Sequence, residues 1–483
     1  MKNTEQKKLI LILATAYWLL VLLIFGIAHE QFDHVMVESD ALSATMTTGE
    51  LYDGHELSQS MTIPADTLTG LSLMTVPSAD AEGMLRIELS TDDEAVLASA
   101  EIKVNELTAS KYSYVQLDNP ITGRLGETVT LTLTTEGCEP GNALIVYFGD
   151  SVIAGKFDIV KNVDPSDCFA MDGVRGQGVL CIKLTGEKHL GLQGLYWAVV
   201  IGFFALVAAT VARGLKKVER GETSLIINLL TAATKYIFLM KQLVYRDFMG
   251  KYKRSVLGVF WSFLNPLMTM SVQYVVFSTL FRSDLPHYAV YLLTGLVFFN
   301  FFSEACSLGV TSIVGNASLI KKVYMPKYIY PTSRVISSLV NLAFSMIPLF
   351  LVAIISGVTI RASILLLIFD LLCLLMFVCG MVLILSTMMT FFQDTQFLWG
   401  VVSMMWMYIT PIFYPETIIP AKFLTIYHMN PMYQYITFAR ICIIDGVSPV
   451  PSSYLWCLLS GAAVLFIGAL VFKRNQDKFI LHI

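Results

Sequence analysis

The stretch LVYRDFMGKYKRSVLGVFWSFLNPL, Leu243 to Leu267, changes character within a few residues. Arg246, Asp247, Lys251, Lys253 and Arg254 come first; from Val256 onward no charge follows until Arg282. Such a run exceeds the roughly 20 apolar residues that a helix needs to cross a hydrocarbon core about 30 Å thick. The basic cluster ahead of it marks the side of entry, because Lys and Arg gather on the cytoplasmic face of membrane proteins. This stretch therefore describes a surface segment turning into the bilayer.

The rest of the chain repeats the pattern. Of its 483 residues 55% are apolar and only 14% charged, against about 25% charged in an ordinary globular chain. A soluble protein this apolar would expose large sticky patches, so a polytopic α-helical membrane protein is expected. The net charge of −4 hides a strong segregation of basic residues along the chain. About eight segments have spanning length: 9–28, 191–212, 256–281, 288–312, 332–358, 363–391, 396–414 and 453–472. With the N-terminus cytoplasmic, Lys2, Lys7 and Lys8, then Arg213 to Arg220, Lys235 to Arg254, Lys321 to Lys327 and Lys473 to Lys478 all fall inside. The outer loops hold little more than Arg282, Arg361, Lys422 and Arg440, and among the inner segments only 392–395 lacks a basic residue. Both termini are thus expected in the cytoplasm of a multi-pass plasma-membrane protein, with residues 30–190 outside. The first apolar run is longer than the core of a cleaved signal peptide and is read as a retained anchor.

Between the first two spans the composition shifts. MLRIELST (84–91) and TVTLTLTT (128–135) alternate apolar and polar residues, and ALIVYFGD (143–150) is a short buried-type run. Turn signals such as STDDE and EGCEPGN separate them, which argues for an antiparallel β-sandwich inserted outside the membrane. Its pattern resembles the jelly-roll modules that often bind sugars, while a spacer or docking role fits equally well. Of the eight cysteines, Cys138, Cys168 and Cys181 fall here, and Cys168–Cys181 is the candidate disulfide. No CxxC pair or His/Cys cluster at zinc spacing occurs, and the seven histidines are scattered, so no metal is expected. Residues 222–255 place apolar side chains on a broad helical face interrupted by Lys235, Lys241, Arg246 and Asp247. This is the pattern of a helix lying along the cytoplasmic interface, and Trp261 follows as an interfacial anchor.

The segment RDFMGKYKRSVLGVFWSFLNPL resembles the signature that opens the permease subunits of polysaccharide ABC exporters. SIVGNASLIKKVYMPKYIYPTSRV (312–335), TPIFYP (410–415) and NPMYQYITFAR (430–440) follow in the family's order, over residues 225–483. The resemblance implies a type-2 ABC permease core of about six spans in 256–483. It would be preceded by anchor 1–30, β domain 31–188, second span and basic turn 189–221, and interface helix 222–255. Within the core, 314–330 would be the coupling segment that seats in an ATPase subunit, with Leu319, Lys321, Lys322 and Tyr324 as contacts. Segment 411–445, broken by prolines, would form short re-entrant helices at the outer mouth.

No GxxxxGK[ST] occurs, so the chain holds no P-loop, and neither GxSxG nor HExxH appears. ATP and magnesium would bind the partner, leaving this chain without a cofactor of its own and without enzymatic activity. The implied partners are a P-loop ATPase, a second copy of the chain and a lipid-linked polysaccharide, with no role for nucleic acid. Arg246, Asp247, Lys251, Lys253, Arg254 and Trp261 would flank a lateral portal for the lipid head group. Asn265 and Pro266 would break a helix at the channel wall. Phe298, Phe302, Glu304, Trp406, Tyr414 and Tyr433 would line the channel or its gate, since a polymer needs aromatic faces and exchangeable polar contacts. Glu304 and Asp370 are ionisable groups inside spans, which face protein or water. The alternatives are an exporter of small lipids or drugs, a membrane-embedded glycan-transferring enzyme with a sugar-binding module, and a sensor that would leave most spans unused.

Overall fold

A computed structural model describes the chain except residues 1, 40, 43–45, 79–82, 92–94, 111, 150, 155–158, 163–167, 177, 221–224, 253–256, 282–286, 323–324, 415–425 and 483. It divides into two compact units: a helical one, Met1–Gln31 with Gln193–Ile419 and Ile426–Ile483, and a β one formed by Phe32–Leu192.

In the helical unit, α1 (Lys2–Asp33) and α2 (Gln193–Glu219) pair through aromatic contacts. The Tyr17 hydroxyl donates to the Val200 carbonyl, Tyr196 donates to that of Val21, and Tyr17 stacks on Phe204 at 5.6 Å. α3 (Leu225–Tyr252) follows. Next come α4 (Trp261–Phe281), α5 (Tyr288–Val310), the short α6 (Ala317–Lys322) and α7 (Ile329–Ile355). The chain ends with α8 (Leu367–Phe391), α9 (Thr395–Ile409), α10 (Pro431–Arg440), α11 (Pro451–Asn475) and α12 (Phe479–His482). Among the described residues 6 helices are long and apolar enough to cross a membrane. They correspond to α1, α2, α5, α7, α8 and α11.

The other two expected spans differ in form. In place of a break at Asn265–Pro266, the chain breaks earlier, at a 3-10 turn over Gly258–Phe260. Gly258 there takes φ +53°, a conformation open to glycine at no steric cost. α4 then runs continuously through Pro266, the sixth residue of the helix, where proline removes one i to i−4 hydrogen bond. The segment expected as 396–414 is helical only to Ile409. Thr410 precedes Pro411 and is pushed to the extended region (φ −79°, ψ 127°), which ends the helix.

α8 and α11 cross closely through glycines. A Cβ added at Gly468 would lie 2.3 Å from the Gly380 carbonyl oxygen, and one at Gly380 2.4 Å from Val464 backbone. Small residues at such crossings let membrane helices approach closely where no hydrophobic effect drives them together.

The β unit is an antiparallel sandwich of two larger sheets, beside a small three-stranded sheet of Ile159–Asn162, Ser151–Ala154 and Ala41–Leu42. One sheet runs His34–Glu38, Ile182–His189, Thr67–Pro77, Leu144–Gly149 and Val179–Leu180 in order, with Met46–Leu51 and Tyr112–Thr122 pairing off this path. The other carries Glu56–Thr62, Thr128–Glu136, Met84–Ser90 and Val96–Lys103, extended by the hairpin Ala170–Met171 and Val174–Arg175. The alternation seen in the sequence is the reason: Leu85, Ile87 and Leu89 pair across from Thr135, Leu133 and Leu131, and their apolar side chains all point inward. Leu68, Leu71, Leu73, Leu144, Val146 and Leu184 of the facing sheet complete the core. Each such residue fully buried contributes about 1.5–3 kcal/mol. The expected Cys168–Cys181 disulfide does not form. Cys181 is a free, fully buried thiol packed with Val179, Met74, Tyr112 and Tyr147, and burial pushes it up to about 11.

Candidate functional site

A groove of about 610 Å³ opens in the helical unit between α4, α5 and α7. α4 supplies Trp261, Asn265, Pro266 and Thr269; α5 supplies Val297, Asn300, Phe301, Ser303 and Glu304; α7 supplies Asn341, Leu342 and Ser345. Amides, hydroxyls and one carboxylate dominate this list although all three helices are mostly apolar. Within it the Asn341 amide donates to Glu304 Oε1 at 2.8 Å. The Ser303 hydroxyl reaches the Ser403 hydroxyl of α9 at 2.9 Å.

Four residues singled out from the sequence, Trp261, Asn265, Pro266 and Glu304, meet in this groove. Phe298 and Phe302 do not: both are fully buried. Phe302 packs against Phe299, Phe377, Trp399 and Trp406, an aromatic cluster behind the groove wall. Helical spacing explains the swap, because Asn300, Phe301 and Glu304 occupy the opposite face of α5.

Trp406, Tyr414 and Tyr433 belong to a second assembly around the TPIFYP and NPMYQYITFAR blocks. Asn430 caps α10, accepting from the Met432 N–H at 3.1 Å with Pro431 at the first helical position. The same oxygen accepts from the Trp406 indole at 2.8 Å, and the amide nitrogen donates to the Thr410 hydroxyl at 2.9 Å. Tyr414 donates to the Tyr408 carbonyl at 2.9 Å and meets the Tyr427 hydroxyl at 3.3 Å; Tyr433 stacks on His428. Arg440, expected in an outer loop, is instead 7% exposed at the end of α10. Its guanidinium donates to the carbonyls of Tyr291, Pro411 and Ile412 and lies 3.4 Å over the Tyr291 ring. It thereby pins the irregular segment after α9 to α5.

At the other end, α6 exposes Leu319, Lys321 and Lys322 while Ile320 turns inward. Ile320 joins Leu243, Ile313, Ile329, Tyr330, Leu383, Phe472 and Phe479 in one apolar cluster, with Tyr236, Leu239 and Met240 against it. Residues 236, 239, 240 and 243 form a stripe along α3 at helical spacing. Asp247 is tied to Arg246 and, at 2.9 Å, to Arg334 of α7. Arg334, the last basic residue of the SIVGNASLIKKVYMPKYIYPTSRV block, carried no assigned role in the sequence. Lys251 ends α3. Lys253, Arg254 and Tyr324 lie outside the described residues.

A profile of the ABC-2 type transporter family matches residues 239–444. Those residues are an ABC-2 type transporter domain. The matched span takes in the second half of α3, the groove, α6 and the Asn430–Arg440 assembly. Among curated proteins the chain is similar to two O-antigen export system permease proteins RfbA of Klebsiella pneumoniae. Each is 28% identical, over 250 and 253 residues, covering 50% of this chain and 95% of each relative. The same-named protein of Myxococcus xanthus is 25% identical over 256 residues, covering 52% of this chain and 98% of its own length. About half of this chain thus aligns with nearly the whole of these relatives. Membrane subunits of this family work with an ATPase carried on a separate subunit.

Proposed function

We propose that two copies of this chain face each other across the α4–α5–α7 groove and pass a lipid-linked polysaccharide between them. The chain is the membrane subunit of a polysaccharide ABC exporter. The observation that carries the transport path is the polar groove on an otherwise apolar unit. Its amides and hydroxyls match sugar hydroxyls with contacts that exchange readily, and Trp261 offers an aromatic face for pyranose rings. One subunit walls this groove from one side, and a second copy closes it.

ATP and magnesium sit on the partner ATPase, which meets Leu319, Lys321, Lys322 and Tyr324. Ile320 hands its displacement to the apolar cluster shared by α3, α7, α8 and α11. The Arg246–Asp247–Arg334 bridge keeps α3 and α7 moving together. Because α7 also carries Asn341, motion at α6 arrives at Glu304 and the groove. α3 lies along the cytoplasmic interface, where Lys251, Lys253 and Arg254 meet the anionic head group of the lipid carrier. Trp406, Tyr414 and Tyr433, held by Asn430 and Arg440, form the outer gate. Both termini are cytoplasmic and the β domain is outside.

Isolation of the chain from mild detergent tests this reading. It should bring down a P-loop ATPase, and the Lys321→Glu, Lys322→Glu double variant should weaken that association at least about tenfold, or 1.4 kcal/mol. Recovery of the chain with glycan-synthesis enzymes and no ATPase would defeat it.

A further inference from the structure

The β domain brings together three metal-binding side chains that the transport reading does not use. Asp33 ends α1, His34 opens the first strand of the domain and His189 closes its last strand. His34 and His189 are direct antiparallel partners, so their imidazoles stand side by side on one face, with ring centroids 5.1 Å apart. The Asp33 carboxylate reaches both. Its Oδ2 is 3.6 Å from His34 Nε2, and its Oδ1 is 3.3 Å from His189 Nδ1. One donor atom from each residue lies within 4.8 Å of the other two. Backbone contacts fix the frame: the Leu190 N–H donates to the Asp33 carbonyl at 2.7 Å, and the His189 N–H donates to Asp66 Oδ2 at 2.8 Å.

The separations carry the argument. With metal–ligand bonds of about 2.0–2.2 Å, tetrahedral zinc sets its donor atoms roughly 3.3–3.6 Å apart. Both contacts of Asp33 have that length, one from each carboxylate oxygen, and the donor atoms of the three residues all lie within 4.8 Å of one another. A carboxylate simply hydrogen-bonded by an imidazole closes further, as His55 Nδ1 and Asp172 do at 2.5 Å in the same domain. We propose that Asp33, His34 and His189 form a binding site for a divalent transition metal, with zinc the best match. Two imidazoles and one carboxylate suit zinc, whereas calcium and magnesium call for an all-oxygen shell. The two histidine side chains are 53% and 58% exposed, which leaves the fourth position to water. The metal clips the first and last strands of the domain at the point where the chain enters and leaves it. Its binding free energy thus becomes folding free energy for the ends of the domain.

Cobalt titration of the full chain, purified in detergent without a polyhistidine tag, tests the site. About one cobalt ion per chain should bind, giving the visible absorption of tetrahedral nitrogen and oxygen ligation, and zinc should displace it. His34→Gln and His189→Gln should each weaken binding at least about 100-fold, more than loss of a residue that only hydrogen-bonds a ligand costs. Lys188→Gln, a neighbouring control, should leave it unchanged. The wild-type spectrum reads the ligand set even if a variant misfolds. A thiolate-to-cobalt band in the near ultraviolet would place the metal on cysteine and overturn the proposal. So would binding that survives both histidine variants, or no binding at micromolar cobalt.

Discussion

Asp172 shows how one side chain can hold an irregular backbone. It sits at φ +51° in the turn between two short strands, and its carboxylate accepts from the Glu56 N–H at 2.9 Å and pairs with His55. Those two hydrogen bonds, the backbone one first, hold its pKa below the usual carboxylate value. A carboxyl group depressed by folding stabilises the fold above its unfolded pKa and loses that contribution as pH falls through the folded value. Asp172→Asn should therefore lower the melting temperature of the full chain's β domain at neutral pH. The gap from wild type should be constant above about pH 5 and close progressively below about pH 4 in pH-resolved thermal unfolding. Arg440 does comparable work without any carboxylate, through three carbonyls and the face of Tyr291. Charge counting along the sequence placed it in a loop, because such counting cannot register backbone acceptors brought in from another helix.

At the scale of elements, the α8–α11 crossing is the most sharply specified contact. Gly380, Gly461 and Gly468 each bring backbone within a distance that a side chain would violate. Gly468→Val forces at least one helix outward, at a cost of about 1–3 kcal/mol or more for overpacking. The expected result is lower recovery of folded chain and an earlier melting transition in detergent, while Gly202→Val on α2, which meets nothing within 4 Å, should be silent. α3 illustrates the opposite case. Its amphipathic stripe was readable as a pattern, yet the partner of that stripe was not, since Ile320, Phe472 and Phe479 come from three distant parts of the chain.

For the whole molecule, an ABC-2 domain joined to a sandwich inserted between two extra spans must assemble as a pair if its groove is to enclose a polymer. Native mass spectrometry of the detergent-solubilised chain should find two copies, with or without the ATPase; a monomer under those conditions would remove the channel as proposed. The sequence by itself determined the membrane class, most of the spans, the sandwich and the family blocks. Each of these rests on local periodicity, composition or contiguous motifs, which a linear reading captures. Only the tertiary structure decided that Phe298 and Phe302 turn away from the groove while Asn300, Ser303 and Glu304 face it. The same holds for Asp247 bridging to Arg334, for Asn341 holding Glu304, and for Asp33 meeting two histidines. The physical reason is common to all of them: each depends on which face of a helix or strand meets another element far away in the chain, and that choice is made by packing.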